Sequence, residues 1–346
     1  MLMIVAHHYV VNSGLTLPDS PMMQDRFACN SLYLMLFGAW GKTGINCFLL
    51  ITGYFMCTSK ITLRKFVKLM AQIYCIRFLV FPLLLVGGYE SISGLRIVKL
   101  LMPTWGFRDN FTGCFIAFWL TIPFLSILVQ NMTRRQHQLL LLLALGCYTI
   151  LGSIPTFDVK FNYITWFGII FFIASYIRLH PHPVFERRAF WGWLTLGAVL
   201  LSMFSVVVMA RLFGQGQYFF LMDSNKILSV TVAIASFLWF KNMDIPQSKI
   251  INAIGGSTFG VFLFHAHTGA GMRSWLWKDT VDAVGHYSLP FVELVLYSVG
   301  VVLAVFIVCN LLDQLRIQFL EKPFFKWYDR NLNEKLNKKI NKIMTI

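Results

Sequence analysis

Residues 189–210 read AFWGWLTLGAVLLSMFSVVVMA, twenty-two consecutive positions without a charged side chain. As a helix rising 1.5 Å per residue, such a run crosses a hydrocarbon core of about 30 Å. The rest of the chain agrees with it. Of 346 residues, 57% are hydrophobic and only 13% charged, a balance far from that of a soluble domain. The expected fold is all-α, a polytopic helical membrane protein.

Working outward from 189–210, apolar runs between charges mark about ten transmembrane helices: 1–11, 33–57, 65–88, 113–130, 138–154, 161–178, 189–210, 225–241, 251–270 and 289–313. The basic residues then orient them. Lys60, Arg64, Lys65 and Lys68 follow the second run, and Arg134 and Arg135 the fourth. Arg178, Arg187 and Arg188 follow the sixth, Lys241 and Lys249 the eighth, and eight Lys and Arg lie from Arg316 onward. Every second exit carries the heavier basic load, so both termini are expected in the cytoplasm. This pattern accounts for the net charge of +15 without a nucleic-acid partner, and none is expected. Residues 1–315 read as one membrane domain and 316–346 as a basic cytoplasmic tail, whose segment Lys335 to Lys342 suits anionic lipid headgroups.

The first run is too short to span as it stands. Eleven residues make about 16 Å of helix, so the reading expects a helix whose cytoplasmic turn precedes Met1. The seven cysteines show no CxxC and no metal-ligand spacing. Neither a disulfide framework nor a metal site is expected. The start lacks the basic region and small-residue cleavage site of a signal peptide. Between the third and fourth runs, Leu95 to Met102 forms a short apolar piece closed by Pro103, which suggests a re-entrant or interface-lying segment.

Ionisable groups inside apolar runs are costly and therefore point to function. His7 and His8 stand in MLMIVAHHYVV, residues 1–11. Either imidazole can take a proton or act as a nucleophile. Neighbours on a helix diverge by about 100°, so only one is expected to face a shared cavity. In residues 41–55, GKTGINCFLLITGYF, Lys42 and Asn46 are four apart and share a face. Gly44 and Gly53 there read as points of close helix contact. Arg77, between Ile76 and Phe78, needs a cavity, an anion or a carboxylate, and Glu293 in the last run is a candidate partner. Residues 255–267, GGSTFGVFLFHAH, add His265 and His267. Arg273, Trp275 and Trp277 follow, the tryptophans reading as interfacial anchors.

Taken together these stretches resemble the acyltransferase-3 family of bacterial integral-membrane O-acyltransferases. MLMIVAHHYV is similar to the end of that family's first helix, and GKTGINCFLLITGYF to its second-helix pattern. GGSTFGVFLFHAH resembles its late Ser-Thr-Phe-Gly motif ending in His, and Leu320-Glu321-Lys322-Pro323 its closing motif. The resemblance implies transfer of an acetyl or other short acyl group, with acetyl-CoA as donor and no permanently bound cofactor. The implied acceptor is a hydroxyl of a surface or exopolysaccharide or of its lipid-linked glycan precursor, at a bacterial cytoplasmic membrane. It selects His8 over His7 as catalytic. Lys42, Asn46, Arg77, His265, Arg273 and Glu293 are expected to support the site. A basic segment that the family carries before its first aliphatic run has no counterpart here. The residues alone fit two further classes: a glycan-precursor transporter or flippase with histidines as proton relay, and a structural subunit of a glycan-assembly complex. The internal symmetry common in transporters is not visible.

Overall fold

The computed structural model describes residues 1–105, 110–213, 216–266 and 270–332, and these contain helices and turns but no strand. Among the described residues, fourteen α-helices of eight residues or more organise the chain. They are α1 (Leu2–Val11), α2 (Cys29–Gly38), α3 (Gly41–Met56), α4 (Leu63–Val86), α5 (Gly94–Leu101), α6 (Phe111–Asn131) and α7 (Arg134–Leu145), then α8 (Tyr163–Leu179), α9 (Arg188–Phe213), α10 (Ile227–Lys241), α11 (Lys249–Gly256), α12 (Thr258–Ala266), α13 (Phe291–Arg316) and α14 (Lys322–Asn331). Each expected apolar run contains at least one helix. Among the described residues, six helical stretches are long and apolar enough to cross a membrane: Cys29–Met56, Leu63–Val86, Phe111–Asn131, Arg134–Ser153, Arg188–Phe213 and Phe291–Asn331. The protein is a helical membrane protein.

The expected count of ten full spans is not what these helices show. Leu2–Val11, Tyr163–Leu179 and Ile227–Lys241 are apolar but shorter. The run at 251–270 is broken at Ser257 into α11 and α12. In α8 and α10 the short length goes with burial inside the bundle. Trp166, Phe167, Ile170, Phe171 and Ala174 of α8, and Ala233 and Leu238 of α10, are closed off by neighbouring helices. The apolar residues in these helices therefore serve protein packing as well as lipid contact.

A short apolar helix sits among four others. Helix α1 packs against α2, α3, α12 and α13, with Ile4, Val5, Ala6, Tyr9 and Val10 buried. Glycines at every third position allow this approach. A Cβ on Gly38 would stand 2.7 Å from Val10 Cβ, one on Gly41 2.3 Å from His7 Cγ, and one on Gly44 3.0 Å from Ile4 Cγ1. The close contacts expected at Gly44 and Gly53 are present; a Cβ on Gly53 would sit 2.9 Å from Ala174 Cβ.

At the far end of α13 the boundary drawn at residue 315 falls within continuous helical chain. Buried Arg316 pairs with Asp313 at 2.7 Å and Glu321 at 2.8 Å, and Lys68 of α4 reaches Glu321 at 2.9 Å. The first turns beyond 315 are thus clamped to the bundle. Residues 335–342, expected to lie on lipid, fall outside the described residues.

Candidate active site

Helix direction gathers one end of the bundle around a cavity of about 610 Å³. Its walls come from the C-terminal turns of α1, α4 and α12 and the first turns of α3, α6 and α8, with α5 across one side. This is the end opposite the basic loops that follow α3, α6, α8 and α10.

His8 lies on the cavity wall, and its Nδ1 is 3.0 Å from Nε2 of His265. The Nδ1 of His265 in turn is 2.5 Å from the carbonyl oxygen of Val261, one turn earlier in α12. A carbonyl only accepts, so the proton of neutral His265 resides on Nδ1, and its Nε2 carries a lone pair. His8 must then donate from Nδ1. That leaves His8 Nε2 as an unprotonated acceptor. The backbone carbonyl of Val261, acting through His265, thus fixes the base.

His7 also lines the cavity, contrary to the expectation that only one of the pair could. Its Nδ1 donates to Gly38 carbonyl oxygen at 2.7 Å. Because α1 ends within the cavity's reach, two adjacent side chains splayed by 100° both border it. The His7 ring also lies against Gly41.

The other named residues divide. Lys42 and Arg273 line the cavity, and Lys42 Nζ donates to Tyr163 hydroxyl at 3.2 Å. Asn46 is fully buried and outside the cavity. Its amide nitrogen donates to Ser224 carbonyl oxygen at 2.7 Å, and its oxygen accepts from Trp166 Nε1 at 2.8 Å. Asn46 therefore ties α3 to α8 and to the turn before α10 rather than touching a ligand. Arg77 lines the cavity, and its hydrogen bond goes elsewhere than to its candidate partner Glu293. Its Nη2 donates to Lys99 carbonyl oxygen at 2.5 Å, while Glu293 is exposed in the first turn of α13. Trp277 is also not an interfacial anchor. It is fully buried with its ring edge toward His265, centroids 6.1 Å apart, whereas Trp275 is exposed as expected. His267 lies outside the described residues.

The sequence reading missed Asn12, Glu90, Arg96, Lys99 and Tyr163, all of which line the cavity. The available signal was the pair of bases, Arg96 and Lys99, in the one loop that interrupts its apolar piece with charge. A second space of about 10 Å³ is bounded by Met1, Ile4, Ile45, Phe48, Phe111, Phe259 and Phe262, and shares Ile4, Ile45, Phe111 and Phe262 with the cavity wall. That is room for roughly one water-sized body, and no charged side chain borders it.

A histidine pair with one member on a cavity wall inside an apolar helical bundle is an arrangement that can take a proton from, or give one to, a bound group. A family model described as an acyltransferase domain, acyltransferase 3, matches residues 1–310, and the chain belongs to that family of membrane acyltransferases. No curated protein and no solved structure matched the chain.

Proposed function

We propose that this protein transfers an acetyl group from acetyl-CoA to a carbohydrate hydroxyl of a bacterial cell-surface polysaccharide or its lipid-linked precursor. The observation that carries the reading is the chain Val261 carbonyl–His265–His8, which leaves His8 Nε2 as a base on the wall of the cavity.

In this reading His8 Nε2 accepts the acceptor's hydroxyl proton as the oxygen forms its bond to the thioester carbonyl carbon. The resulting imidazolium keeps its Nδ1 bond to His265. Lys42, held by Tyr163, stabilises the negative oxygen of the tetrahedral intermediate. The carbon–sulfur bond then breaks, and the His8 proton goes to the departing thiolate, giving an ester and free CoA. The small apolar space beside Ile4, one turn before His8, supports a short acyl group: it has room for a methyl and little more.

The positive-inside distribution of Lys and Arg supports cytoplasmic termini and an extracytoplasmic cavity mouth. The donor would then deliver its acyl group from the cytoplasmic side. Surface glycans from a deletion strain, examined by NMR, should lack O-acetyl signals that the wild-type gene restores. Unchanged acetylation with accumulated lipid-linked precursor would replace this reading with a transporter.

A further inference from the structure

One helical stretch is too long for a membrane. Phe291–Asn331 runs 41 residues, about 61 Å at 1.5 Å per residue, roughly twice a hydrocarbon core of about 30 Å. Its last part, α14, therefore lies at or past the membrane boundary. Two contacts with α4 set the depth. Arg64, in the first turn of α4, pairs with Asp329 at 2.8 Å, its guanidinium carbon 4.9 Å from the Phe325 ring centroid. Lys68, one turn on, holds Glu321 at 2.9 Å. Helix α4 has 24 residues, about 36 Å, so its first turn stands at headgroup level when its apolar middle fills the core. Arg64 and Lys68 hold α14 at that same level, at the end of the bundle that carries the basic loops.

The sequence of α14, KPFFKWYDRN, divides its surface three ways. Phe325 and Tyr328 are buried against the bundle. Phe324 and Trp327, three apart, are 39% and 52% exposed and make an open aromatic face. Lys322, Lys326 and Arg330, each four apart, make an exposed basic stripe. The acids of this region are already engaged, Asp329 by Arg64 and Glu321 by Lys68 and Arg316. None of the three stripe cations has an ion pair among the described residues. Like charges four apart repel one another, so the row is complete only with an anion along it. Aromatic rings and cations side by side on one helix, at headgroup depth, match lipid: rings among the glycerol groups and cations on the phosphates.

We infer that α14 is a docking surface for anionic phospholipid, with Phe324 and Trp327 set between headgroups and Lys322, Lys326 and Arg330 on their phosphates. The inference goes beyond the acyl-transfer reading and does not depend on it.

Full-length protein would be reconstituted in phosphatidylcholine vesicles carrying, at equal mole fraction, either brominated phosphatidylcholine or brominated phosphatidylglycerol. Subtracting the emission of Trp327→Phe from that of wild type isolates Trp327 from the other tryptophans. Both brominated lipids should quench Trp327, the anionic one at the lower mole fraction. Lys326→Gln and Arg330→Gln should each reduce that preference about fivefold, the scale of one basic residue near an anionic surface. Added salt should weaken the preference in wild type. Both replaced side chains are exposed, so the variants should unfold at the wild-type temperature, and either one alone suffices for the test. Trp327 unquenched by both lipids would overturn the inference and turn this face toward a protein partner. Equal quenching by the two lipids in wild type would also overturn it, as would a phosphatidylglycerol preference unchanged when Lys326 and Arg330 are both replaced.

Discussion

Replacing His265 with leucine removes the acceptor that holds the His8 proton on Nδ1. The 3.0 Å bond from His8 Nδ1 to His265 Nε2 fixes the tautomer in the resting site and steadies the imidazolium during transfer. A hydrogen bond to a charged group contributes about 1.5–3 kcal/mol. At about 1.4 kcal/mol per decade, that is a loss of roughly ten- to a few hundredfold in kcat. His265 does not border the cavity, so KM for the acceptor should hold. His265→Gln, whose carbonyl oxygen can accept from His8, should recover part of the lost rate. The assay is release of CoA thiol by purified protein given acetyl-CoA and its acceptor, with thermal unfolding measured alongside. A His265→Leu variant within about threefold of wild type in kcat would refute the relay. So would a loss expressed wholly in KM, or equal rates for the Leu and Gln variants.

Other substitutions probe the scaffold and the small apolar space. Asn46→Ala should destabilise the protein by about 1–3 kcal/mol by stranding Trp166 Nε1 and Ser224 carbonyl oxygen. Activity per folded molecule should stay within a fewfold, as checked by thermal unfolding in detergent beside kcat. Arg316→Met leaves buried Asp313 and Glu321 without their shared partner. A loss of about 3–5 kcal/mol is expected, on the scale of broken buried ion pairs, seen as a lower unfolding temperature. Gly41→Ala forces a Cβ to within 2.3 Å of the His7 ring, an overpacking cost of about 1–3 kcal/mol. It should also reduce acyl transfer by displacing α1, whereas Gly255→Ala, with open space around the new carbon, should not. Phe259→Ala enlarges the apolar space beside Ile4 and should raise butyryl relative to acetyl transfer, measured as a ratio of kcat/KM values.

Charge and periodicity made the membrane fold legible, because each apolar run is a local property of the sequence. The number of full crossings was not, since α8 and α10 are apolar for packing against other helices and not by length alone. His8 and His265 were each visible in their motifs. Their contact was not, because it depends on α1 lying along α12 across 257 residues of chain. The shared face of Lys42 and Asn46 was read correctly, yet one turn of depth separates a cavity lysine from an asparagine consumed by Trp166 and Ser224. Arg77 was recognised as needing a partner. The partner is the carbonyl of Lys99 on the short helix α5, a backbone group that no side-chain pattern announces.

The most direct test of the central claim is acyl transfer by His8→Ala in purified, membrane-inserted protein, using radiolabelled acetyl-CoA and the native glycan acceptor. The account predicts a normally inserted, normally folded protein whose label stays on CoA. Labelled ester formed at a rate near wild type would contradict it.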